Sequence, residues 1–108
     1  MQLQTMCPKF EEAFSLLGRR WTGLIIRALM DGAKRFSEIQ EIIPGMSARM
    51  LTERLKELEE KCIVLRTVYP ETPVRIEYKL TDKGEDLTPA LAAIQSWADK
   101  WCEGANKD

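Results

Sequence analysis

Histidine is absent from the 108 residues. That removes the commonest general acid–base group, Ser–His and Cys–His nucleophiles, and every zinc site that needs imidazole. Cysteine is scarce, with only Cys7, Cys62 and Cys102. No two are close enough for a CxxC pair, and three cannot all pair within one chain. In a reducing compartment they are expected as free thiols. No apolar run approaches the roughly 20 residues that cross a bilayer. Met1–Pro8 lacks the basic-then-apolar start of a secretory leader, so the expected location is cytoplasmic and no membrane partner is expected. A glycine-rich phosphate loop, a metal-ligand cluster and a nucleophile motif are also missing. No enzyme activity, no metal and no cofactor are therefore expected.

What is present is an ordinary apolar fraction of 44% and a net charge of −1, distributed unevenly. Residues 1–35 carry six basic and three acidic side chains, whereas residues 85–108 carry two basic and five acidic. A basic front and an acidic back suit a chain whose first half faces a polyanion. The length suits one domain.

Apolar periodicity predicts five helical stretches and one hairpin. Phe10, Phe14 and Leu17 recur at helical spacing, and Gly18 ends that stretch. Trp21, Leu24, Ile25 and Leu29 predict one face of a second helix over 21–30, stopped by Asp31-Gly32. A short helix over 37–43 opens on Ser37, with Gln40 three residues later as a capping box. Pro44-Gly45 marks a turn. Ser47 then caps a long helix running to Lys61, with Met46 and Leu51 placed as a hydrophobic staple. Leu51, Leu55, Leu58 and Cys62 are expected on its inner face. Val64–Tyr69 is rich in β-formers, and Val74, Ile76, Tyr78 and Leu80 alternate with charged residues, so Pro70–Pro73 joins two strands. A last helix is expected from about Thr81 to Trp101, punctuated by Pro89.

Helix, helix, short helix, turn, long capped helix, hairpin, helix is the order of a winged helix-turn-helix domain. The expected fold is therefore α+β, mainly α: one domain over 7–101, with helix-turn-helix 37–61, a two-stranded wing 64–80 and a C-terminal helix 81–103. The second helix of the turn fits a major groove. With its leucines inward, Ser47, Ala48, Arg49, Thr52, Glu53 and Lys56 lie on or near the outer face. Arg49 can bond guanine or phosphate in bidentate fashion, and Ser47 and Thr52 can donate to phosphate or base edges. Ser37, at the start of the preceding helix, and Arg75, on the polar side of the second strand, complete the candidate DNA-contacting set.

The chain resembles the HxlR-type winged-helix regulators, relatives of the MarR group. The resemblance rests on Cys7-Pro8, Gly18-Arg19-Arg20-Trp21, Arg35–Ile39, Ile43–Ser47, Leu51–Glu59, Tyr69-Pro70, Pro73, Arg75, Glu77-Tyr78, Leu80-Thr81 and Gly84. It implies transcriptional regulation through double-stranded DNA. It also implies that Cys7 is a sensor of oxidants or electrophiles, with a small molecule as a possible effector. A reactive thiol needs cations or a helix N-terminus nearby, and Cys7 precedes Pro8 and Lys9 where a helix begins. Two departures stand out. Cys62 occupies the position where the family has glycine, the natural left-handed cap. An extra arginine precedes Trp21 and is expected to shift that loop by one residue.

A homodimer is expected from apolar surface at both ends. Leu87, Leu91, Ile94, Ala98 and Trp101 recur at spacings of four and three, and Trp97 widens the stripe. Leu3, Met6, Phe10 and Phe14 add a second apolar face. Phe10, Leu91, Ile94, Trp97 and Trp101 are the candidate interface. A two-fold dimer sets two reading helices about one DNA turn apart, or a multiple of that, for a palindromic site. The competing reading is a winged-helix module that docks a protein partner without specific DNA binding, suggested by the glutamates of the long helix and by Glu71 at the wing tip.

Overall fold

The computed structural model describes residues 5–104. Leu3, counted above with the first apolar face, lies outside them. The elements are α1 (Pro8–Leu17), α2 (Thr22–Leu29), α3 (Phe36–Ile42), α4 (Ala48–Glu60), β1 (Val64–Tyr69), β2 (Arg75–Leu80), α5 (Asp82–Glu85) and α6 (Thr88–Trp101). Mainly helical, with one antiparallel two-stranded sheet, this is the architecture expected.

Helix α2 is the centre of the fold. It touches α1, α3, α6 and β2, and buries Thr22, Ile25, Ile26, Ala28 and Leu29. The predicted face was rotated from this: Leu24 is exposed, because the helix is covered on two sides by α3 and β2 and leaves its Leu24 edge outside. Trp21 stands just ahead of α2 in the left-handed region at φ 80°.

Helix α3 begins one residue earlier than predicted. Ser37 does not cap it; the backbone N–H of Arg35 donates to Glu38 Oε1 at 2.7 Å. A carboxylate in the first turn is the stronger acceptor, since it also meets the positive end of the helix dipole. Helix α4 starts as predicted. Ser47 Oγ accepts from the Met50 N–H at 3.0 Å, and Met46 and Leu51 are both buried around it. Its end differs from expectation at Cys62, which is exposed and sits at φ 62°. The N–H groups of Cys62 and Ile63 donate to the carbonyls of Glu59 and Leu58. That is a Schellman ending, with Ile63 packed on Leu58, which takes the Cys62 side chain off the inner face.

The hairpin pairs Val64 with Leu80, Arg66 with Tyr78, Val68 with Ile76 and Tyr69 with Arg75. Val74, read as part of the buried face, is exposed and precedes β2. A third, one-residue strand was not foreseen: Lys34 exchanges both backbone bonds with Tyr78, at 2.9 and 2.8 Å. The predicted last helix is two. Thr81 caps the single turn α5, accepting from the Gly84 N–H, and α6 restarts at Thr88 with Pro89 in its first turn. Gly84 has no room for a side chain, because a Cβ there would stand 2.5 Å from the Ile63 carbonyl oxygen. The α6 stripe divides accordingly. Leu91 is buried in its own chain's core, a correction to its place in the interface set, while Ile94, Trp97 and Trp101 remain outside. The chain extends over 65 × 39 × 24 Å with a radius of gyration of 16.1 Å. A rounded domain of 100 residues has about 13 Å.

Candidate nucleic-acid interface

The leucines at 51, 55 and 58 turn one side of α4 inward, and helical geometry sends the intervening residues out. Ser47, Ala48, Arg49, Thr52, Glu53 and Lys56 are all exposed, at the cap and along the outer side of one helix. The site is electrostatically mixed. Arg49 Nε meets Glu53 Oε2 at 3.3 Å, but the Arg49 side chain is 90% exposed, so the pair yields readily to a stronger anion. Thr52 Oγ1 donates to the Ala48 carbonyl at 2.9 Å, so its hydroxyl proton is already placed. Ser47 Oγ is occupied as the cap. What α4 offers a phosphate is therefore Arg49 and the first-turn amides ahead of Met50 at its start, and Lys56 farther along the same side. Ser37 is exposed on the first turn of α3.

The glutamates farther along α4 are not all free. Glu57 Oε2 is held by Arg54 at 3.2 Å and by Arg19 at 3.4 Å. Arg54 itself is 7% exposed and donates Nε to the Arg20 carbonyl at 3.1 Å. Sequence reasoning passed over it, because a charged residue between two leucines reads as solvated. Its position next to Leu55, on the inward side of the α4 periodicity, was the signal available.

On the wing, Arg75 is more tightly held than expected. It bonds Glu77 at 2.6 Å and Glu71 at 3.0 Å, and its guanidinium lies 3.9 Å from the centre of the Tyr69 ring. Its pKa is raised, chiefly by the hydrogen bond to Glu71; burial opposes the rise, and the hydrogen bond to Glu77 adds to it. Arg66 and Lys79 are exposed on the same hairpin.

Cys7 stands at the N-cap of α1 and is exposed, as are Cys62 and Cys102. Phe10 and Phe14 present an exposed ring pair, centroids 4.9 Å apart. Phe14, Leu17, Trp21, Leu24, Leu91, Ile94 and Ala98 line one cleft of about 370 Å³ between α1, α2 and α6. With Trp97 and Trp101 beside it on α6, this is a broad uncovered apolar face. No helix among the described residues is long and apolar enough to cross a membrane.

The chain matches the model of the HxlR-like helix-turn-helix family over residues 16–106. It is 62% identical to the HTH-type transcriptional regulator YodB of Bacillus subtilis over 99 residues, covering 92% of this chain and 88% of that one. It is 52% identical to the uncharacterized HTH-type transcriptional regulator YvaP of the same organism, covering 95% of both. The reduced form of B. subtilis YodB superposes with a TM-score of 0.79 at 59% identity, covering 94% of this chain and all of that one. YodB has also been solved diamide-treated and quinone-bound, with TM-scores of 0.75 and 0.76. With α4 capped and presented as a reading helix, the hairpin set as a wing, and this breadth of match, the chain belongs to the HxlR-like helix-turn-helix family.

Proposed function

We propose that this chain is a DNA-binding transcriptional regulator that works as a homodimer on a palindromic duplex and answers oxidants or electrophiles through Cys7. The observation that carries the reading is the outer face of α4. It has a capped N-terminal end with Arg49 exposed, Lys56 exposed farther along, and a buried leucine stripe that fixes which side faces out. Family membership supports it, since the relatives are named as transcriptional regulators. The homodimer is supported by the apolar face that α1, α2 and α6 leave uncovered on one chain. A two-fold dimer formed through it would set two α4 helices about one DNA turn apart, or a multiple of that.

The thiol response is supported by the exposure of Cys7 at the N-cap of α1 and by the relatives. YodB has been solved after diamide treatment and with quinone, and HypR, 37% identical with a TM-score of 0.82, is described as a redox regulator. The effector class is thus a disulfide-forming oxidant or a quinone-like electrophile acting on a thiolate.

The test is titration of a fluorescent duplex, selected by the protein from a random-sequence pool, with and without diamide or a quinone. The parent is expected to bind the selected duplex well above a scrambled one and to lose that binding on treatment. Cys7→Ser is expected to bind equally and to stay bound. A parent with no preference overturns the DNA reading; a Cys7→Ser protein that responds as the parent does overturns the sensor.

A further inference from the structure

We infer that Arg54 is a positioning residue that sets the orientation of the α4 reading helix by tying it to the turn between α1 and α2. The inference rests on α4 being the reading helix. Two consecutive residues of that turn bond α4, and the third lies beside the loop before it. Arg19 pairs with Glu57 at 3.4 Å. The Arg20 carbonyl accepts from Arg54 Nε at 3.1 Å. The Trp21 ring reaches to 4.0 Å from where a Cβ on Gly45 would stand. Gly45 lies in the turn ahead of α4, at φ 96°. The recognition helix is therefore held along its length through Arg54 and Glu57, with the Trp21 ring beside the turn that precedes it.

Arg54 is the central member, for chemical reasons. A guanidinium is planar and offers several donors in a fixed fork, so one side chain bonds a carbonyl through Nε and a carboxylate through Nη1 at a defined angle. Arg54 does both, with Glu57 at 3.2 Å. The side chain is 9% exposed, so the pair is little screened by water. It faces away from the groove and touches no candidate DNA contact. It thus acts on DNA only through the angle at which Arg49 and Lys56 are presented. The left-handed backbone at Trp21 points the Arg20 carbonyl at α4, and the Arg20 guanidinium lies 4.6 Å from the Trp21 ring centre, over it.

This role predicts a signature that a phosphate contact or a simple core residue does not give. Attraction between a basic surface and phosphate tolerates a small rotation of the helix, whereas base-edge hydrogen bonds do not. Arg54→Met keeps the apolar stem and leaves Glu57 paired with Arg19. It is expected to keep the parent's mass in solution and to lower affinity for the selected duplex about ten- to hundredfold, the size of one lost base contact. Affinity for a scrambled duplex of equal length is expected to change less than about threefold, with the salt slope unchanged. Arg54→Lys keeps the charge but not the fork, and is expected to fall between parent and Met in its ratio of selected to scrambled binding. If the Met protein does not fold, the Lys protein decides by the same ratio. A folded Met or Lys variant with the parent's ratio overturns the inference, and so does an equal loss on both duplexes with a reduced salt slope. A parent that does not separate the two duplexes is the failure of the DNA-reading assignment instead.

Discussion

Arg49 reaches the surface two residues beyond the Ser47 cap, tethered only by Glu53 one turn on. An exposed pair of this kind contributes a few tenths of a kcal/mol at most. Arg49→Ala is therefore expected to leave the urea midpoint nearly unchanged and to cost about 1–3 kcal/mol in binding the selected duplex. Equal affinity at equal stability removes α4 as the reader. Arg75 is the opposite case, because two carboxylates and a tyrosine ring already occupy it. If it also meets phosphate, Arg75→Ala weakens all duplexes alike and lowers the salt slope by about one unit. An unchanged slope leaves Arg75 as an internal brace of the wing, with Arg66 and Lys79 as its exposed cations. Of the candidate DNA-contacting residues, those on α4 were legible because a helix with a leucine stripe announces its outer side. Arg54 was not, since its burial depends on the carbonyl of Arg20, far away in sequence, as well as on Glu57 nearby.

Helix ends show how far local signals reach. The start of α4 needs only Ser47, Met46 and Leu51, all within five residues, and the structure agrees with the prediction there. Its end needs a left-handed residue, and Cys62 supplies it at φ 62°. An L-residue pays about 1–2 kcal/mol in that region and glycine does not, although glycine loses more chain entropy on folding. Cys62→Gly is expected to raise stability by about 1 kcal/mol, read as a higher urea midpoint with an unchanged slope. A lower midpoint would show that the Cys62 side chain makes a compensating contact. The third strand residue, Lys34, and the break between α5 and α6 escaped the sequence because they depend on partners 44 and 21 residues away: Tyr78 for Lys34, and the Ile63 carbonyl beside Gly84.

For the whole molecule, the decisive feature is apolar surface left uncovered after the core is complete. Phe10, Phe14, Leu24, Ile94, Trp97 and Trp101 are each more than half exposed, and α1, α2 and α6 bring Phe14, Leu24 and Ile94 together around one cleft. Burial of apolar area yields about 25 cal/mol per Å², so covering these six with a second copy stabilises both chains. Ile94→Glu is expected to give monomers, seen by light scattering at micromolar concentration, with DNA affinity lost. The substitution leaves the core intact, because Ile94 is outside it. A parent protein with the mass of one chain would end the dimer and with it the argument for a palindromic site.

The order of elements, the capped start of α4, the strand alternation and the family resemblance were settled by the sequence alone, because each depends on residues near one another along the chain. Tertiary structure decided which apolar residues the core consumes and which it leaves for a partner. Leu91 and Leu24 exchanged their expected places for that reason: the helices packed against α2 and α6, not the periodicity of either helix, determine which edge stays exposed. It likewise decided that Arg54 faces inward. A buried cation is favourable only where a carbonyl and a carboxylate already wait for it, and the fold of the Arg19–Trp21 turn brings one and helps hold the other.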